Sequence, residues 1–128
     1  MTKQIQLRVA RSGALLGTGV ERADSPWSRM IGLLGRKSLR PGGGMRFAPA
    51  SSLHMFFMRF PIDVVYMTRD ERVVKLVSDL QPWCVSGARG AHGAYELPAG
   101  VIAASDIVPG DQLILEPVTA DQTQPEVA

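Results

Sequence analysis

With 128 residues, 45% of them hydrophobic and a net charge of only +2, the chain can bury one sizeable core but has no room for two ordinary domains. Apolar runs such as Ile62 to Met67 are broken by charge well before the roughly 18 residues a membrane-spanning helix needs. A single cysteine, Cys84, and two scattered histidines exclude an internal disulfide and supply too few ligands for an ordinary zinc site, so neither a metal nor another cofactor is expected.

The charge is divided unevenly. Up to Arg46 there are nine bases and two acids, and beyond it five bases and ten acids, so the two halves carry +7 and −5. Opposite signs in one small domain solubilise interleaved elements, and an acidic partner is the alternative use of the basic half. In the opening nine residues Lys3, Gln4, Gln6 and Arg8 interrupt the apolar positions, which leaves no apolar region for an export signal and points to a cytoplasmic protein.

Residues 5 to 9 alternate apolar and polar, the pattern of a strand with one buried face. Arg11-Ser12-Gly13 reads as a turn into a second strand over Ala14 to Glu21, where Gly17 and Gly19 suggest a bulge or a close backbone approach. Ser25 to Gly35 carries the clearest helix signal. Ser25 can cap it and Pro26 fits its first turn; Trp27, Met30, Ile31 and Leu34 make one stripe, and Gly35 closes it. The basic, glycine-rich stretch Arg36 to Phe47 reads as a flexible connection. It lacks the order of a nucleotide-binding loop, though Arg36, Lys37, Arg40 and Arg46 are candidates for an anion site.

From Ser51 to Met67 apolar residues occupy both parities, which implies strands covered on both faces, with Pro61 marking a break. Thr68 to Glu71 is a polar turn, and Arg72 to Val77 a β-branched return strand, so residues 62 to 77 form the most clearly marked hairpin. Cys84 is expected to be a buried, inert small hydrophobe, with an aromatic and thiol patch formed with Trp83 as the alternative. Ser86 to Gly93 reads as a surface loop with His92 solvated. Tyr95 to Leu97 is a short strand, Ala99 to Ser105 a short helix, and Gln112 to Glu116 the closing strand. Residues 1–117 make a single β-rich domain, and residues 118–128 are too polar to pack and read as a disordered tail.

Gly32-Leu33-Leu34-Gly35-Arg36 and Gly44-Met45-Arg46-Phe47 precede the segment His54 to Tyr66. Glu96-Leu97-Pro98-Ala99-Gly100 and Gly110-Asp111 follow it. In this order the pieces resemble the domain of unknown function 192 family over roughly residues 5 to 117. The resemblance implies an α+β, mainly β fold: a small compact mixed sheet partly closed like a barrel, with one or two short helices packed on it. It implies no established activity.

His54 and Asp63 are polar exceptions in an apolar segment, and Arg59 lies between them. Three functions fit these residues. The first is a non-catalytic binding or accessory module with a pocket near His54, Arg59 and Asp63 for a small ligand or protein segment. The second is a hydrolase or acid-base enzyme in which Asp63 orients His54. The third is an anion or nucleic-acid surface of Arg36, Lys37, Arg40 and Arg46. Hydrogen bonding within the fold is the simpler role for His54 and Asp63, and pairing with Asp63 the simpler role for Arg59, so the first reading leads. A monomer is expected, with no membrane partner and no preference for nucleic acid.

Overall fold

The computed structural model describes residues 4–22, 38–55 and 58–118. The helix expected over Ser25 to Gly35, the candidates Arg36 and Lys37, and the tail beyond residue 118 lie outside the described residues.

β1 (Gln4–Val9) and β2 (Leu15–Arg22) form the expected antiparallel hairpin. Its turn closes at Gly13, whose N–H donates to the Val9 carbonyl at 2.8 Å and whose positive φ of 75° suits a residue without a side chain. The register slips twice, because β2 carries an extra residue between Leu15 and Gly17 and another between Gly17 and Val20. The glycine-rich centre of the strand absorbs these bulges.

β3 (Gly43–Phe47) runs parallel to β2 and antiparallel to β8 (Gly93–Pro98). The second half of the expected flexible connection is therefore a central strand. The reason is steric: a Cβ on Gly44 would stand 2.7 Å from the Glu96 carbonyl oxygen, so glycine here permits a close approach of two backbones.

β5 (Ile62–Met67) and β6 (Val73–Leu80) are the hairpin read from the sequence, with β6 running three residues further. β4 (Ser52–His54) pairs only with β7 (Val85–Gly87) in a separate two-stranded ribbon. α1 (Val101–Ser105) and β9 (Leu113–Pro117) complete the chain. The main sheet has the order β6-β5-β8-β3-β2-β1-β9, antiparallel except between β2 and β3.

This sheet curls until its two edges meet at one end. Arg72 bridges to Gln112, the Val73 N–H donates to the Asp111 carbonyl at 2.8 Å, and the Leu113 N–H donates to the Glu71 carbonyl at 2.9 Å. The result is a half-barrel, in accord with the partly closed α+β, mainly β fold expected.

Two cores follow from the curl. Inside it, Leu7, Val9, Val20, Val65, Met67 and Tyr95 pack with Ile102 of α1. On the other face, Met45, Ile62, Val64 and Tyr66 pack with Met55, Met58 and Phe60, which precede β5. All six residues of β5 are buried, which explains why its sequence is apolar on both parities. Among the described residues no helix is long and apolar enough to cross a membrane.

Candidate functional site

Asp63, 1% exposed, is a brace. Its Oδ1 accepts the Asp79 N–H at 2.8 Å, and its Oδ2 accepts the N–H groups of Gly100 at 3.1 Å and Ile102 at 2.8 Å. The latter two belong to the start of α1, where Gly100 has no side chain with which to cap the helix. Asp63 caps it from β5 instead. The Asp79 amide belongs to a bulge, since β6 carries an extra residue between Val77 and Leu80. One carboxylate thus fixes both a helix start and the bend of a strand.

The structure does not bring His54 to Asp63. His54 is exposed on the β4–β7 ribbon, while the hydrogen bonds of Asp63 go to the three amides. Arg59 is exposed and forms no ion pair with Asp63. The ion pairs among the described residues are Arg8–Glu116, Arg11–Asp111 and Arg46–Glu71.

Arg46 is already engaged. Its Nη2 donates to Glu71 Oε2 at 2.7 Å, its Nε donates to Tyr95 Oη at 3.2 Å, and the Tyr95 hydroxyl donates to Glu71 Oε1. Burial pulls the Arg46 pKa down, but the hydrogen bond to Glu71 and the neighbouring charges outweigh it and hold the guanidinium above its ordinary value. Burial, then the Glu71 carboxylate, pushes Tyr95 far above the ordinary tyrosine value, which keeps it neutral. Arg40 is exposed in the turn before β3, where its carbonyl accepts the Gly43 N–H at 2.8 Å.

An open groove lies between β6 and the ribbon. β6 ends the main sheet, and beyond Val73 its outer edge pairs with no strand among the described residues. The ribbon is tied to the sheet by two side-chain bonds: Tyr66 Oη to Ser86 Oγ at 3.0 Å, and Lys75 Nζ to the Gly87 carbonyl at 2.7 Å. Between these walls is a space of about 1080 Å³ lined by Leu53, His54, Lys75, Leu76, Val77 and Val85, with small residues between them and no acidic side chain among the described residues. Val85 is 66% exposed, an unusual state for a large apolar residue in a strand.

Cys84, expected to be buried, stands exposed beside Trp83 in the turn that enters β7. The reason is backbone conformation. Trp83 has φ 69°, in the left-handed region, and the turn is held by its N–H on the Met55 carbonyl and by the Met55 N–H on the Cys84 carbonyl, both 2.7 Å. A non-glycine residue there costs on the order of 1–3 kcal/mol, so these bonds hold an indole outward against strain. His92, expected in solvent, is half-buried, with its backbone bonded to Met67 and Ala50 at the start of β8.

Of the candidate residues, His54 lines the groove and Asp63 shapes its β6 wall from behind. Sequence reading does not single out Lys75, Val77 or Val85. Their strand was legible, but its position at the sheet edge was not. Among the described residues no group of three His, Cys, Asp or Glu could hold a metal ion.

These features define a mainly β half-barrel domain with an open groove along a sheet edge and a buried polar framework that stiffens its walls. The chain belongs to the domain of unknown function 192 family, described as uncharacterized ACR, whose model matches residues 7–115. Its fold is similar to that of a candidate transcription regulator from Sinorhizobium meliloti 1021, at 24% identity and a TM-score of 0.76 over 90% of this chain and 94% of that one. It is also similar to a protein of unknown function from Novosphingobium aromaticivorans DSM 12444, at 23% identity and a TM-score of 0.74 over 88% and 84% of the two chains. No curated protein matches the sequence.

Proposed function

We propose that the protein is a non-catalytic binding module that accepts an extended polypeptide segment in the groove, as a strand added beside β6. The observation that carries this reading is the outer edge of β6, unpaired beyond Val73 among the described residues and facing an open, largely apolar space. An edge strand offers a row of backbone donors and acceptors, and apolar walls beside it supply pockets for alternate side chains. The exposure of Val85 supports the reading, because it lines this space with apolar surface that the described residues leave uncovered. A free, exposed Cys84 is compatible with a reducing, cytoplasmic setting.

Acid-base chemistry has less support, since Asp63 spends both oxygens on backbone amides instead of orienting His54. An anion or nucleic-acid surface also has less support, since Arg46 is bonded to Glu71 and Tyr95. The test is selection from a random displayed-peptide library against the protein, with counter-selection on Val85→Glu. Enriched peptides that shift the amide resonances of β6 and lose at least tenfold in affinity for the variant are expected. Enrichment no greater on the protein than on the variant, or resonance shifts confined to other strands, would overturn the reading.

A further inference from the structure

Resting on that reading, we infer that the segment taken up beside β6 is acidic and apolar in alternation, with a carboxylate meeting Lys75 and an apolar side chain two positions away meeting Val77. The inference starts from charge. The titratable side chains that line the groove among the described residues are Lys75 and His54, and none of the described residues lining it is acidic. Lys75 is exposed and belongs to none of the three ion pairs. Its ammonium donates to a neutral acceptor, the Gly87 carbonyl at 2.7 Å, across the space between β6 and β7. An ammonium has three donors, so this bond holds the charge in place over the groove and leaves two N–H groups to offer.

The geometry adds spacing. Lys75 pairs across the sheet with Tyr66, and Val77 with Val64, so both belong to the face of the sheet that the ribbon covers. Residues two apart on a strand share a face, and an added strand sets its own alternate side chains beside them. A carboxylate opposite Lys75 therefore places the residue two positions along beside Val77, between apolar walls that favour Val, Ile or Leu. A basic side chain in the first position would meet Lys75 with like charge. Among the described residues no acid pairs with Lys75, and a cation so placed at the mouth of a groove attracts an anionic segment.

The test uses three synthetic decapeptides of equal length, read by amide resonance shifts of the intact protein: alternating Val and Glu, alternating Val and Lys, and a Ser-Gly control. The Glu peptide is expected to shift β6 and to bind about five- to tenfold tighter than the Lys peptide at low salt, as suits an exposed ion pair against a like-charge contact. That ratio is expected to shrink towards one in high salt and in Lys75→Met, a variant whose unchanged resonances elsewhere verify its fold. Equal binding of the Glu and Lys peptides at β6 overturns the acidic preference and leaves the groove reading intact. Failure of all three to move β6 overturns both.

Discussion

The Asp63 carboxylate accepts the Ile102 N–H at 2.8 Å across 39 residues of chain, so the first turn of α1 is capped by a side chain from the start of β5. Asp63→Ala would take the acceptor from the buried amide of Ile102 and from the part-buried amides of Asp79 and Gly100. At about 1–3 kcal/mol for each such group, a loss of about 3 kcal/mol or more is expected in urea unfolding. Asp63→Asn, which keeps one acceptor oxygen, should lose roughly half as much. Amide hydrogen exchange at Ile102 should accelerate in both, and exchange unchanged there would show that α1 is held by other contacts.

The Arg46, Glu71 and Tyr95 side chains join β3, the β5–β6 turn and β8. Tyr95→Phe removes a hydroxyl bonded to both charged partners and should cost about 1–3 kcal/mol. In a double-mutant cycle, Glu71→Ala and Tyr95→Phe should couple, because each removes the bond between the Tyr95 hydroxyl and Glu71. Additive losses would mean that the three groups act independently.

The chain has two tyrosines, and burial raises the pKa of Tyr66 and, more strongly, of Tyr95 above the ordinary 10.0. A raised folded-state pKa contributes stability that is whole below the unfolded value and is lost as pH rises towards the folded one. Both phenols should therefore titrate above pH 10 while the protein stays folded, with the ionisation of Tyr95 coinciding with unfolding. A reversible tyrosine titration near pH 10 with the far-ultraviolet signal unchanged would contradict this.

Asp111 titrates in the opposite sense. Its side-chain bonds from Arg11 at 2.8 and 3.0 Å, followed by the Val108 N–H at 2.9 Å, hold its carboxyl below the ordinary 3.8. A depressed folded-state pKa contributes stability that is whole above the unfolded value and is lost as pH falls through the folded one. The stability gap between the wild type and Asp111→Asn should be constant from neutral pH down to about pH 5 and shrink below pH 4. A gap independent of pH would remove the carboxylate charge from the account.

A Cβ on Gly93 would lie 2.5 Å from the Phe47 carbonyl oxygen, 2.7 Å from Met67 Cε and 2.9 Å from Ala48 Cβ. Gly93→Ala should cost about 2–3 kcal/mol through overpacking where β8 meets β3 and β5. Gly90→Ala provides the contrast: its φ is +83° and nothing stands near, so only backbone strain of about 1 kcal/mol is expected. Similar melting temperatures for the two variants would sink the packing argument.

The elements that were legible in the sequence are those whose own residues carry the signal. β5 and β6 announce themselves by β-branched runs around a polar turn, and β1 by alternation. β3 hides because two of its five residues are glycines, and their purpose, letting β8 approach, depends on a strand some fifty positions later. Asp63 stood out as a polar residue in an apolar run, but its partners at Asp79, Gly100 and Ile102 are set by tertiary folding. Cys84 looked like core because free cysteines usually are, and the turn made by the left-handed backbone of Trp83 leaves it exposed. The groove left no mark, since whether a strand lies inside a sheet or at its rim depends on every other strand.

β1 is flanked by β2 on one side and by β9 on the other, with Ile5 opposite Pro117. The two halves of this pairing lie more than a hundred residues apart in the chain, so closing the sheet costs a large loop entropy, and slow assembly with β1 open on one side until β9 docks is the expectation.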